Sequence, residues 1–137
     1  MAPALAKIYS LRKGVSFIDE VLRIAEAEKI TTARVEAIGG VNRLTLGHFD
    51  SEKKKHEEHV YEEFLEVACL LGNITMKDGK PFLHAHGTFG RKDMSAISGH
   101  VISATVFPLL EVVITPTSNK ALRKFDEEIG SNVIYKT

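Results

Sequence analysis

The chain has little of several things that would announce a function. It has one cysteine, Cys69, in 137 residues. No internal disulfide can form, so a reducing, cytoplasmic setting is expected. Cys69 stands in an apolar run and reads as a small core residue. There is no excess of charge of either sign, with 18 Lys+Arg against 18 Asp+Glu. A nucleic-acid binder usually carries a basic excess or stripe, so here any basic patch has to be gathered by folding or assembly. No N-terminal signal pattern is visible. No apolar run is long enough to span a bilayer, so no membrane partner is expected. Repeats, low-complexity segments and linkers are missing too, and 137 residues suffice for one core. One domain over residues 1–137 is expected.

Several catalytic signatures are also lacking. Gly39-Gly40 has neither G-x-G-x-x-G nor Walker spacing and reads as a tight turn. There is no Gly-x-Ser-x-Gly elbow and no supported Cys–His dyad, so no catalytic set is legible.

What the chain does have is alternation. Residues 5–12 read as a strand broken by Gly14. Ser16 and Asp19 form a capping pattern ahead of Phe17, Ile18, Val21, Leu22 and Ala25 at helical spacing, which predicts a helix over about 16–29. Thr31–Ile38 and Asn42–Phe49 read as two strands. The charged run 50–59, DSEKKKHEEH, reads as a solvated loop or ragged helix, and its His56 and His59 as exposed. Phe64–Ile74 and Phe82–Phe89 read as strands joined by a turn at Lys77-Asp78-Gly79-Lys80. Residues 90–99 read as a loop, with Asp93 and Ser95 as turn formers. His100–Phe107 and Leu109–Thr115 are strands, with Pro108 marking a break or bulge between them. Thr117-Ser118 can cap a short helix over Ala121, Leu122 and Phe125, stopped by Gly130, and Val133–Tyr135 make a last strand. The fold class is α+β: a largely antiparallel sheet with one main helix and one short one.

Within the stretch GNITMKDGKPFLHAHGTFGRKDMSAISGH, three histidines stand out. His84 and His86 lie two apart on an extended segment, so both project from one face, about 6–7 Å apart at Cα. His100 opens a later strand that can lie alongside. Three imidazoles of this kind suit a divalent metal, zinc first, with an open coordination position. The alternative is a polar pocket, a subunit interface or a satisfied core histidine. Glu66 and Glu111 are carboxylates inside aliphatic strands. Either they face water, or they accept a ring N–H from a ligating histidine or complete the ligand set.

Taken together, Phe64-Leu65-Glu66-Val67, Leu71-Gly72-Asn73-Ile74, Asp78-Gly79-Lys80-Pro81, His84-Ala85-His86, Gly99-His100 and Leu110-Glu111-Val112 resemble the PPC (plant and prokaryote conserved) domain in its stand-alone prokaryotic form. The helix, the strand ending at Gly39 and Leu46-Gly47-His48-Phe49-Asp50 fit as well. The resemblance implies a mostly antiparallel sheet and a homotrimer. Members are often labelled DNA-binding. In plants the domain sits beside a minor-groove element of Arg-Gly-Arg-Pro type, which this chain lacks. The leading expectation is therefore a homotrimeric regulatory or interaction module with a DNA or protein partner. The alternatives are a metal-dependent enzyme or small-molecule binder using His84, His86 and His100, and a structural trimer whose histidines merely pack.

Overall fold

The computed structural model describes residues 5–137. Its elements are β1 (Lys7–Arg12), α1 (Phe17–Ala27), β2 (Ala33–Asp50), β3 (Lys55–Tyr61), β4 (Leu65–Lys77), β5 (Lys80–Gly90), β6 (Ala96–Pro116), β7 (Leu122–Asp126) and β8 (Ser131–Lys136). The helix begins where the capping pattern places it. The Ser16 side chain accepts a hydrogen bond from the Asp19 amide at 3.3 Å, and Asp19 and Glu20 put negative charge on the first turn. Phe17, Val21 and Ala25, at 3.6-residue spacing, are wholly buried.

Two long strands organise the sheet. One edge of β2 pairs with β6 along nearly its whole length, and the other pairs first with β4 and then with β3. Since β6 also pairs with β5, and β5 with β4, the strands β2–β6–β5–β4 close a circuit. Closure leaves few bare edges and separates an inner from an outer face. The inner face and α1 make the core, with Phe89, Leu44, Leu65, Ile74, Val106 and Ile114 fully buried. All named pairings are antiparallel except β4 with β7.

The turn at Asp78-Gly79 is as expected. Both residues have positive φ (52° and 75°), and Lys77 pairs with Lys80, giving a two-residue hairpin. Four other expectations are corrected. Gly39-Gly40 is not a turn that separates two strands. It is an irregularity inside β2, where pairing to both β4 and β6 shifts register. A Cβ at Gly39 would lie 2.6 Å from the Leu109 carbonyl oxygen, and one at Gly40 would run into that of Phe107. The glycines therefore let two backbones cross, and β6 continues through Pro108, with a register shift opposite them.

The charged run is half turn, half strand. The Asp50 carboxylate accepts from the amides of Glu52 and Lys53, which reverses the chain into β3. The expected short helix is β7, an extended strand. The amide and carbonyl groups around it find distant partners: Ala121 donates to Thr32 Oγ1, Met76 donates to the Ala121 carbonyl, and β7 pairs with β8. Gly130 sits at positive φ in the β7–β8 turn and stops no helix. Cys69 is exposed on the outer face of β4 and is no core residue.

Candidate metal centre

His84 and His86 leave the outer face of β5, while Ala85, Gly87 and Phe89 are buried on the inner one. The third histidine arrives by pairing, because His100 of β6 is the direct cross-strand partner of His86. Ring centroids lie 5.0 Å apart for His84–His86, 5.3 Å for His84–His100 and 5.4 Å for His86–His100. One ring nitrogen from each falls within 4.8 Å of the other two.

The spacing fits a metal. Two nitrogens each about 2.0–2.1 Å from a tetrahedral ion stand about 3.3–3.4 Å apart. The Nε2 atoms of His84 and His86 face one another at 3.2 Å. His100 Nδ1 is buried and has no hydrogen-bond partner. The surroundings of His84 and His100 favour the neutral ring, as ligation requires. Burial, then the neighbouring His56, His84 and His86, hold the His100 pKa down at about 4. Burial, then Arg123, His86 and His56, lower that of His84.

The two glutamates do not join this centre within the chain. Glu66 pairs with Gly90, at the far end of the β4–β5 ladder from His84. Glu111 pairs with Ser10 and Ile38. Both are exposed. Asp93 accepts from the amide and hydroxyl of Ser95 and shapes the β5–β6 turn.

Two further residues stand beside the centre, the first of them a histidine expected to be exposed in the charged run and here half-buried. His56, on β3, stacks on His100 at 4.4 Å. Gly47 makes room for it, since a Cβ there would be 2.9 Å from the His56 ring. Arg123, on β7, is the other. It is buried, with Nε donating to Thr75 Oγ1 (2.9 Å), Nη1 to the Asn132 carbonyl (2.9 Å) and Nη2 to Asn73 Oδ1 (3.0 Å). No local pattern signals that reach.

A closed, mostly antiparallel sheet with one helix packed against it, and with three histidines converging on its outer face, defines an α+β domain with a candidate three-nitrogen centre. Residues 6–118 match the Plants and Prokaryotes Conserved (PCC) domain, and the chain belongs to that family, the PPC family of the sequence resemblance. Among solved structures it is similar to a metal-containing protein from Archaeoglobus fulgidus, at 32% identity and TM-score 0.92, covering 98% of this chain and 96% of that one. It is similar to a PPC protein from Pyrococcus horikoshii, at 25% identity and TM-score 0.92, covering 99% and 94%. It is also similar to a protein from Ralstonia eutropha, provisionally described as DNA-binding, at 30% identity and TM-score 0.87, covering 95% and 90%. No curated protein matches significantly. Among the described residues no helix is long and apolar enough to cross a membrane.

Proposed function

We propose that this chain is a single-domain, homotrimeric PPC module that holds one divalent metal, zinc, on His84, His86 and His100. The observation that carries the reading is the convergence of three ring nitrogens within 4.8 Å. The metal-containing relative from Archaeoglobus fulgidus supports it. Three neutral imidazoles leave a fourth position open and suit zinc among the available divalent ions. Zinc titration of the chelator-treated, untagged protein tests the site.

Assembly into a trimer is supported by the outer face itself. Ile8, Ile38, Leu71 and Leu109 are all exposed there, and Leu71 is the cross-strand partner of His86. Cross-strand pairing places Ile8, Val113, Glu36 and Leu71 in one row. An apolar patch beside polar groups is the usual mark of a contact surface. Size exclusion coupled to light scattering at micromolar concentration should give three times the 15.2 kDa chain mass. A clean monomer rejects the trimer.

DNA contact, the role suggested by the Ralstonia eutropha relative, is then weak and non-specific for the isolated chain. Arg23, Arg34, Arg43 and Arg91 each bridge a glutamate, and Arg123 is buried. Among the described arginines only Arg12 has no such engagement, and the lysines are part of a chain whose 18 basic residues are matched by 18 acidic ones, so no basic excess gathers phosphates. A gel-shift titration should show a shallow slope of log K against log salt, about −0.9 per phosphate contact. Nanomolar, sequence-selective binding at physiological salt contradicts this expectation.

A further inference from the structure

Arg123 is a buried cation without a buried anion. Its three hydrogen bonds go to a hydroxyl, a backbone carbonyl and an amide oxygen, all neutral. No carboxylate bridges it among the described residues. A guanidinium carries five N–H donors in a planar fork, so two remain unspent. Burying a charge without a counter-charge is costly.

The position of that cation relates it to the histidines. Asn73, which accepts from Nη2, is the cross-strand partner of His84. Phe82, whose ring lies 5.5 Å below the guanidinium carbon, is two residues before His84 on the same face. Beside these residues opens a shallow groove of about 280 Å³, lined by Leu71, Gly72, Asn73, His84 and His86, with Arg123 behind Asn73. Arg123 is the fixed positive charge that acts on His84, and no carboxylate acts on His84 or His100. With a divalent ion on three neutral imidazoles, this region would carry three positive charges, two from the ion and one from Arg123. Among the described residues no carboxylate forms an ion pair with Arg123 or with the three histidines.

We propose that Arg123 and the three-histidine centre form one composite site for a small oxyanion. One oxygen of the ligand takes the open metal position, and the free N–H groups of Arg123 hold its charge. The ligand is a compact carboxylate- or phosphate-bearing molecule. The guanidinium fork matches either group, and a groove of about 280 Å³ has room for a compact molecule. This inference rests on the metal reading above and adds the class of ligand.

The test uses the full-length, zinc-loaded protein. Oxalate and, separately, inorganic phosphate are titrated by calorimetry into the wild type, Arg123→Lys and Arg123→Gln. At least one anion should bind the wild type ten-fold or more tightly than Arg123→Gln, with Arg123→Lys intermediate. Zinc affinity should stay within about three-fold across all three proteins. Oxalate alone would point to a carboxylate ligand, phosphate alone to a phosphorylated one. Thermal melts show whether the variants fold. If Arg123→Gln does not, the Arg123 Nε–H resonance of the zinc-loaded wild type should move on anion addition. Equal anion binding by wild type and variant, no binding of either anion, or an unmoved Nε–H resonance overturns the composite site while leaving the metal reading intact. A wild type that binds no zinc overturns both.

Discussion

Replacing His84 and His86 together with alanine is expected to lower zinc affinity by more than about 100-fold in calorimetric titration, while the apo protein folds normally. Loss of a group that only orients a ligand already costs about 10–100-fold, so loss of two ligands exceeds that. The residues lie on the outer face, half-buried and exposed respectively, so their removal opens no cavity in the core. His56→Ala separates stacking from ligation. His56 lies flat against His100 and lies outside the converging set, so its removal should cost about ten-fold or less.

The pH dependence of the same titration has a definite sign. Protons compete with the metal for the imidazole lone pair. A histidine with an ordinary pKa of about 6.5 would lose ligation through that value. His100 is held near 4 and His84 is lowered too, so protons compete less well for these two rings. Zinc affinity should therefore persist below pH 6.5 and decline toward pH 4. The apo protein should lose stability over the same window as pH falls, because the unfolded chain takes up protons there before the folded one does. Equal zinc binding by the wild type and the His84→Ala/His86→Ala protein, or none by the wild type, removes the site.

Gly40→Ala is expected to destabilise the fold by about 3 kcal/mol, lowering the melting temperature by about 10 °C. The added methyl would run into the Phe107 carbonyl oxygen and lie 2.8 Å from the Phe64 ring. The first of these is backbone of the paired strand and cannot swing away. Gly90→Ala is the control. Its methyl would meet nothing nearer than 3.8 Å, at the Glu66 side chain, and its φ suits any residue. That variant should fall within about 0.5 kcal/mol of wild type. A Gly40→Ala protein that melts with the wild type would mean that the crossing of β2 and β6 is looser than drawn.

These two results probe different kinds of legibility. The capping pattern at Ser16, the Asp78-Gly79 hairpin and the shared face of His84 and His86 all depend on residues within a few positions of one another. Backbone stereochemistry and side-chain parity act at that range, and the sequence is sufficient there. Gly39-Gly40 looked like a turn because glycine pairs usually serve turns. Its use as a crossing point depends on Phe107 and Leu109, more than sixty positions away. The segment Leu122–Asp126 had residues fit for a helical turn, and strand won because Met76, Thr32 and β8 supplied partners for its backbone.

By itself, then, the sequence determined the helix, the β4–β5 hairpin, the family and the pair of histidines that point the same way. Tertiary structure alone decided that His100 stands opposite His86, that His56 stacks behind it, that Arg123 is buried beside His84, and that Glu66 and Glu111 lie elsewhere. The physical reason is register. Periodicity tells which face a strand residue occupies, but a slide of β6 along β5 by two residues would keep every face and move His100 away from its partner. Only the closed circuit of β2, β6, β5 and β4, with the glycine crossing that lets it close, holds that slide at one value.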